Sequence, residues 1–231
     1  MRTYAEISKE LDNLKAELEA ARIESENQIF LASGINATDI KVERNLSLMI
    51  DICDLRVGDR IPILIGENVY TATAVDERDG DIYFLFDQLL DRRPIDSRDN
   101  FDGEFNDSEL FAWLNSKFKE QLPEWIRSRL DHDITLPTVT QIFGTSDEWA
   151  SRFFGLNATD CNEQFECMKD VKNRLCAFED ITVWYWLCTK YPLSSASFAS
   201  SDFAGVGDNG GAACNGAANA DYVRPLLKIR K

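Results

Sequence analysis

The apolar spacing of this chain changes character once, near Ser33-Gly34, and that change divides what it can fold into. Before it, Tyr4, Ile7, Leu11, Leu14, Leu18 and Ala21 recur at intervals of three and four, with Glu, Lys and Asp on the remaining faces. That is the seam of an amphipathic helix over residues 4–28, stopped by the glycine. It reads either as an oligomerisation stalk, with residues 4–28 joining copies into a homo-oligomer, or as a helix packed on its own domain. After it, from about Asp39, the period becomes strand-like. IKVERNLSLMIDICDL alternates in part, and VGDRIPILI, VYTATAV and GDIYFLFDQLL follow. The expected organisation is a helix over 1–34 and one mixed α+β domain over 40–231.

The turn DERDGD, Asp76 to Asp81, joins two of these strands. Its aspartates lack the spacing and closing glutamate of a calcium loop, so a plain hairpin is expected. The middle of the chain is helical. Asn106-Asp107-Ser108 with Glu109 caps a helix whose Phe111, Leu114 and Phe118 share a face with Trp113 at its edge. LPEWIRSRL is a second short helix with Pro123 in its first turn.

Composition narrows the function. A hydrophobic content of 44% supports a real core, and a formal net charge of −15 opposes bulk affinity for nucleic acid or an anionic membrane. No apolar run approaches the roughly 18 residues of a membrane helix, so no membrane insertion is expected. The N-terminus lacks the apolar region of a signal peptide, which implies synthesis in a cytosol and leaves the final place open between a virion, a cell surface and the cytosol. The six cysteines form no CxxC pair and His132 is the only histidine, so no structural zinc site is expected; Asp202, Asp208 and Asn209 could hold calcium but lack an EPN- or WND-type motif, so no metal or cofactor is assigned.

Candidates for catalysis are few. Asp131-His132-Asp133 reads as a solvated turn, because neighbouring side chains point apart in any regular element. Cys188 lies among aromatics, with one distant histidine to activate it. There is no GxSxG, HExxH or P-loop. No catalytic residue is assigned, and the chain is not expected to be an enzyme.

The order of landmarks carries a resemblance. VGDRI and a strand pair are followed by SELFAWLN, then ITLPTVTQIFG, WYWL and finally YVRPL near the end. Over about residues 55–231 this resembles an uncharacterised domain family of gut Firmicutes and their prophages. Ser108-Glu109, Trp113-Leu114-Asn115, Trp184 to Leu187 and Val223-Arg224-Pro225 carry the likeness; Cys188-Thr189 stand where that family has Arg-Ser. The ending also looks like the C-type-lectin-like fold shared by formylglycine-generating enzymes and by the variable proteins of diversity-generating retroelements. The resemblance implies an α+β, C-type-lectin-like (formylglycine-generating-enzyme-like) domain behind an N-terminal amphipathic helix. From the residues themselves, Trp184 and Trp186 share a strand face, with at least one expected in the core, and Arg224 before Pro225 is expected in a buried ion pair.

Residues 193–222 contain no Lys, Glu, Gln, Met or Trp. Retroelement mutagenesis acts on adenines, and changes at the first two bases of AAC-type codons cannot produce those five residues. The same absence would arise in an ordinary loop region rich in Gly, Ala and Ser. The resemblance places a variable binding surface within 186–221. Its candidates are Trp186, Cys188, Thr189, Tyr191, Ser195, Phe198, Ser200, Asp202, Phe203, Asp208, Asn209, Cys214, Asn215, Asn219 and Asp221. Aromatics would be the rigid anchors, with Tyr222 among them, and Ser, Asp and Asn the adaptable polar contacts. The function so implied is display of a variable surface to a protein or cell-surface ligand, as in a phage receptor-binding protein. The alternatives are a formylglycine-generating-type enzyme, which would need a reactive Cys188 or Cys214, and a structural virion component.

Overall fold

A computed structural model describes residues 52–130, 132–156, 163–178, 181–191 and 201–231. The seam over 4–28 and the alternation before Ile52 lie outside them. The described architecture is mixed α+β, with strands predominating over short helices.

The first sheet holds β1 (Arg60–Ile65), β2 (Asn68–Arg78), β3 (Asp81–Phe86) and β11 (Leu226–Arg230), antiparallel throughout in the order β1-β2-β3-β11. The DERDGD segment is the expected hairpin: Asp79 and Gly80 have φ of 54° and 83°. Positive φ at both central residues is the requirement of the turn whose twist matches the flanking strands, and Asp-Gly meets it cheaply. A register shift between Ala74 and Asp76 leaves Val75 as the extra residue of a bulge, on the face opposite Ala72 and Ala74.

The second sheet runs β4-β10-β7-β8-β9: β4 (Leu90–Arg93), β10 (Asp221–Val223), β7 (Tyr185–Lys190), β8 (Asp202–Val206) and β9 (Ala212–Gly216). Only β10 and β7 pair in parallel. A two-stranded ribbon, β5 (Ala177–Phe178) and β6 (Ile181–Thr182), stands apart from both sheets.

Helices cover the sheets. The capping signal at Ser108 is realised, its hydroxyl accepting from Phe111 N. α1 (Glu109–Trp113) continues through a widened π turn (Leu114–Phe118) into α2 (Lys119–Gln121). α3 (Glu124–Arg127) starts directly after Pro123. In α4 (Val139–Phe143) Thr138 and Gln141 form a reciprocal capping box, and α5 (Glu148–Phe154) is capped by Asp147 and ended by Gly155.

Two apolar clusters result. One joins Ile82, Phe84 and Phe86 of β3 to Leu110, Leu114 and Phe118, and reaches Trp186, Phe203 and Val223. The other joins Leu85 to Ile142, Phe143, Phe154, Tyr185 and Leu187. Because successive strand residues point to opposite faces, β3 and β7 feed both clusters, so both read as continuous apolar runs.

Arg224 ties the sheets together, with a correction to expectation. It is buried, but its Nε donates to Phe86 O at 2.8 Å and its Nη1 to Tyr185 Oη at 3.1 Å. No carboxylate pairs with it among the described residues. The cation is held by a carbonyl dipole, a phenol and the Tyr185 ring, 5.2 Å away.

Candidate functional site

Much of the described part of the segment proposed to form a binding surface is buried scaffold. Trp186 is 1% exposed, and its indole N–H donates to Arg93 O at 2.8 Å. Phe203 is 0% exposed and stacks on Phe101 at 6.1 Å. Tyr191 is 6% exposed and packs against Phe153 and Phe154. These three sit in the core and are not available to a ligand, which corrects the assignment of Trp186 as a binding residue and of Tyr191 and Phe203 as anchors. Tyr222 is half-buried, with its ring 4.8 Å from Phe178. Ser195, Phe198 and Ser200 lie outside the described residues.

The small residues have a packing cause here. A Cβ at Gly205 would stand 3.0 Å from Tyr185 O, so the strands β7 and β8 meet there only because no side chain intervenes. Ala204, Ala213 and Ala217 are buried beside it.

The remaining candidates separate into distinct places. Cys188 and Thr189 end β7 against the start of α4. Cys188 N donates to Pro137 O, and Thr189 Oγ1 accepts from Val139 N at 3.0 Å. Asn215, Asn219 and Asp221 form a chain across the β9–β10 connection: Asn219 Nδ2 donates to Asn215 Oδ1 at 2.7 Å, and Asn215 Nδ2 to Asp221 Oδ2 at 2.9 Å. Arg92 approaches Asp221 Oδ1 at 4.0 Å and lies over the Tyr222 ring. Asp202 and Cys214 are half-buried in neighbouring strands, in the registers Asp202↔Gly216 and Ala204↔Cys214. Asp208 and Asn209 are exposed in the β8–β9 turn, where Asn209 Oδ1 accepts from Gly211 N at 2.9 Å.

Trp184 was expected to share a strand face with Trp186; instead it precedes β7 and is 41% exposed. Its Cε2 would lie 3.9 Å from a Cβ at Gly207, so the indole flanks the turn that carries Asp208 and Asn209. Val171, also exposed, borders the same turn at Gly210.

Four of the cysteines, Cys167, Cys176, Cys188 and Cys214, offer little nucleophilic character. Burial pushes the Cys188 thiol up to about 12 and the Cys214 thiol up to about 11, the latter with help from Asp202. Burial also raises Cys167 and Cys176. Cys188 packs against the first apolar cluster and Cys214 against the second, so the two do not act as a pair. His132 and Asp133 are exposed, as a solvated turn requires. Among the described residues, no three His, Cys, Asp or Glu side chains are grouped to hold a metal ion, and no helix is long and apolar enough to cross a membrane.

Several organising residues were not singled out by the sequence reading. Asn115, noted only as part of a motif, donates to Phe111 O and Ile134 O and accepts from Ile134 N at 2.7 Å, clamping the π turn to the following loop. Asp96 is 0% exposed, receives Arg98 and the Glu109 amide, and offers its own N–H to Ala217 O. Arg174 is buried and joins Asp147 at 2.7 Å. Apart from Arg98, two residues from Asp96, these partners are distant in sequence or are backbone groups, and no local signal marks them.

No curated protein and no solved structure matches the chain. A family model matches residues 79–231, from the Asp79-Gly80 turn to the C-terminus, and so spans the whole second sheet and β11 but not β1. The chain belongs to that family, a domain of unknown function, DUF6273.

Proposed function

We propose that the protein is a ligand-binding protein that presents its contact surface on a C-type-lectin-like scaffold, of the kind diversified by retroelements, to a protein or cell-surface ligand. The observation that carries this reading is the position of Trp184. A partly exposed indole flanks a tight turn bearing exposed Asp208 and Asn209, above strands locked by Trp186 and Phe203. A rigid aromatic beside adaptable polar groups supplies contact area at low entropic cost.

Burial restricts which codons could vary. Substitution at Trp186, Phe203 or Val206 would cost about 3 kcal/mol or more in core packing. Diversification is therefore confined to exposed positions, Asp208, Asn209, Ala218 and Asn219 foremost. Sequencing the locus in sibling isolates tests this. Substitutions concentrated at those codons, at adenines, support the reading; an even spread over buried and exposed codons removes the retroelement part of it. The enzyme alternative needs a reactive thiol at Cys188 or Cys214, and both are held protonated at neutral pH. Rapid labelling of either thiol in the folded protein would revive it.

A further inference from the structure

Four sheet edges exist among the described strands of the two sheets, and three are closed to further pairing. β1 carries Pro62 in its middle and Arg60 at its start. β4 is four residues long, and Asp91, Arg92 and Arg93 charge it. β11 is bridged on its outer side by Leu130 and Thr135, with Thr135 and Leu226 exchanging N–H···O bonds. These are the usual protections of an edge: proline, charge, shortness and cover.

β9 carries neither proline nor charge, and no described strand or bridge pairs with its outer side. Its sequence is AACNG, without proline, charge or bulge. The bonds Gly207 N to Gly211 O and Ala217 N to Ser201 O fix the phase of the β8–β9 ladder. Phe203–Asn215 and Gly205–Ala213 are consequently the mutually bonded pairs, since these alternate along an antiparallel ladder. Ala212 and Cys214 turn their N–H and C=O groups outward, and these groups have no partner among the described residues. Gly216 closes the row: its N–H is taken by the Asn215 side chain and its C=O by Asn219 N.

Both ends of this open row are acidic. Asp208 is exposed in the turn that leads into β9. At the other end Gly216 has no side chain, and a Cβ there would be 3.6 Å from Asp202 Oδ1, so that carboxylate lies over the strand end. α5 packs on β9 from one face, and its Trp149 is 60% exposed.

We infer that β9 accepts an extended peptide from a partner protein as an added strand, and that the peptide is neutral and β-prone in its middle and basic at its ends. Main-chain bonds to Ala212 and Cys214 hold it, and Asp202 and Asp208 select its ends. A second copy of this chain fits less well. Two-fold pairing of β9 with itself would set Asp208 of one copy toward Asp202 of the other, between molecules of net charge −15 each. The inference rests on the reading of the chain as a binding protein, and names the partner class, but does not use the Trp184 surface.

The test uses the full chain and a fluorescein-labelled peptide of about seven residues, alternating Thr and Val with Lys at each end. Binding is read by polarisation. Backbone N-methylation of the residues whose N–H groups would face β9 is expected to weaken binding at least tenfold. Methylation of the alternate residues is expected to change it less than twofold, and exchanging the terminal Lys for Glu to weaken it about tenfold. No binding, or equal sensitivity to both methylation patterns, overturns the inference. So does a dimer in sedimentation that Cys214→Pro converts to monomer, because a second copy would then occupy the edge. Diversified codons at the turn together with no peptide binding would defeat the strand-addition inference alone.

Discussion

The two sheets are stabilised by different means. In the first, β-branched and aromatic residues alternate in long registers, the connection between β2 and β3 is a two-residue turn, and one face of β1 and β2 and both faces of β3 are buried against bulky neighbours. In the second, strands are short, Gly and Ala are common, and registers shift beside β10 and along β7. Polar ties supply what small side chains cannot: Arg224 to Phe86 O and Tyr185, Trp186 Nε1 to Arg93 O, Asp96 to Arg98 and the Glu109 amide. The first sheet tolerates local error because its stabilisation is spread over apolar area. The second concentrates it in a few buried polar groups, whose loss leaves orphaned partners.

The largest effect should come from Arg224→Met. The substitution keeps a long apolar stem but abandons the Phe86 carbonyl and the Tyr185 hydroxyl, both buried. A loss of about 3–4 kcal/mol in urea unfolding is expected. Hydrogen exchange sharpens the comparison. Amides of β7 and β10 should lose protection while β1 and β2 keep theirs. Uniform loss through both sheets would mean that they open as one unit and that the contrast is only compositional.

That contrast also decides what was legible in the sequence. β1, β2, β3 and their hairpin follow from alternation and Asp-Gly, because period and turn chemistry act between near neighbours. The Ser108 cap followed for the same reason. The second sheet did not. Apart from β7 its strands carry little apolar pattern, and a parallel pairing such as Tyr222 with Tyr185 leaves no trace in spacing. Trp186 and Phe203 were taken as contact residues because aromatics among small residues resemble a paratope. Packing put them in the core, since a sheet so poor in side-chain volume needs every large residue it has. Trp184, two positions from Trp186, shows that strand parity does not extend to a residue before the strand begins. Asn115 and Asp96 act on backbone groups 19 and 13 residues away, and nothing local encodes such pairs.

Acid should separate the sheets next. The Arg98 guanidinium, with the Arg98 and Glu109 amides, holds the Asp96 carboxyl below the usual carboxylate range against the opposing effect of burial. Burial alone would raise Asp147, but the Ala150 amide and Arg174 hold it low as well. A carboxyl depressed in the folded state stabilises fully above its unfolded pKa, near 4, and that stabilisation is lost as pH falls through the folded value. Asp96→Asn should therefore cost about 2 kcal/mol at pH 7. The difference from the parent protein should shrink below pH 4 as the parent's own carboxyl protonates. A constant difference down to pH 2 would assign the loss to geometry instead of charge.

The smallest effect probes the first sheet where backbone, not area, matters. Gly80 has φ of 83° and open space around its absent Cβ, so Gly80→Ala meets no neighbour and changes only the cost of the left-handed conformation. About 1 kcal/mol is expected. Asp79, already at φ 54°, carries the other half of the turn. Gly80→Asn should recover part of the loss, because Asn adopts that region more readily than Ala. If Ala and Asn cost the same, the turn is held by the ladder on either side of it, Arg78 to Asp81 first, and not by its own residues. If Ala costs several times more, the hairpin sets the register of β3 and, through β11, the position of Arg224. The robust sheet would then depend on a single point as closely as the fragile one does.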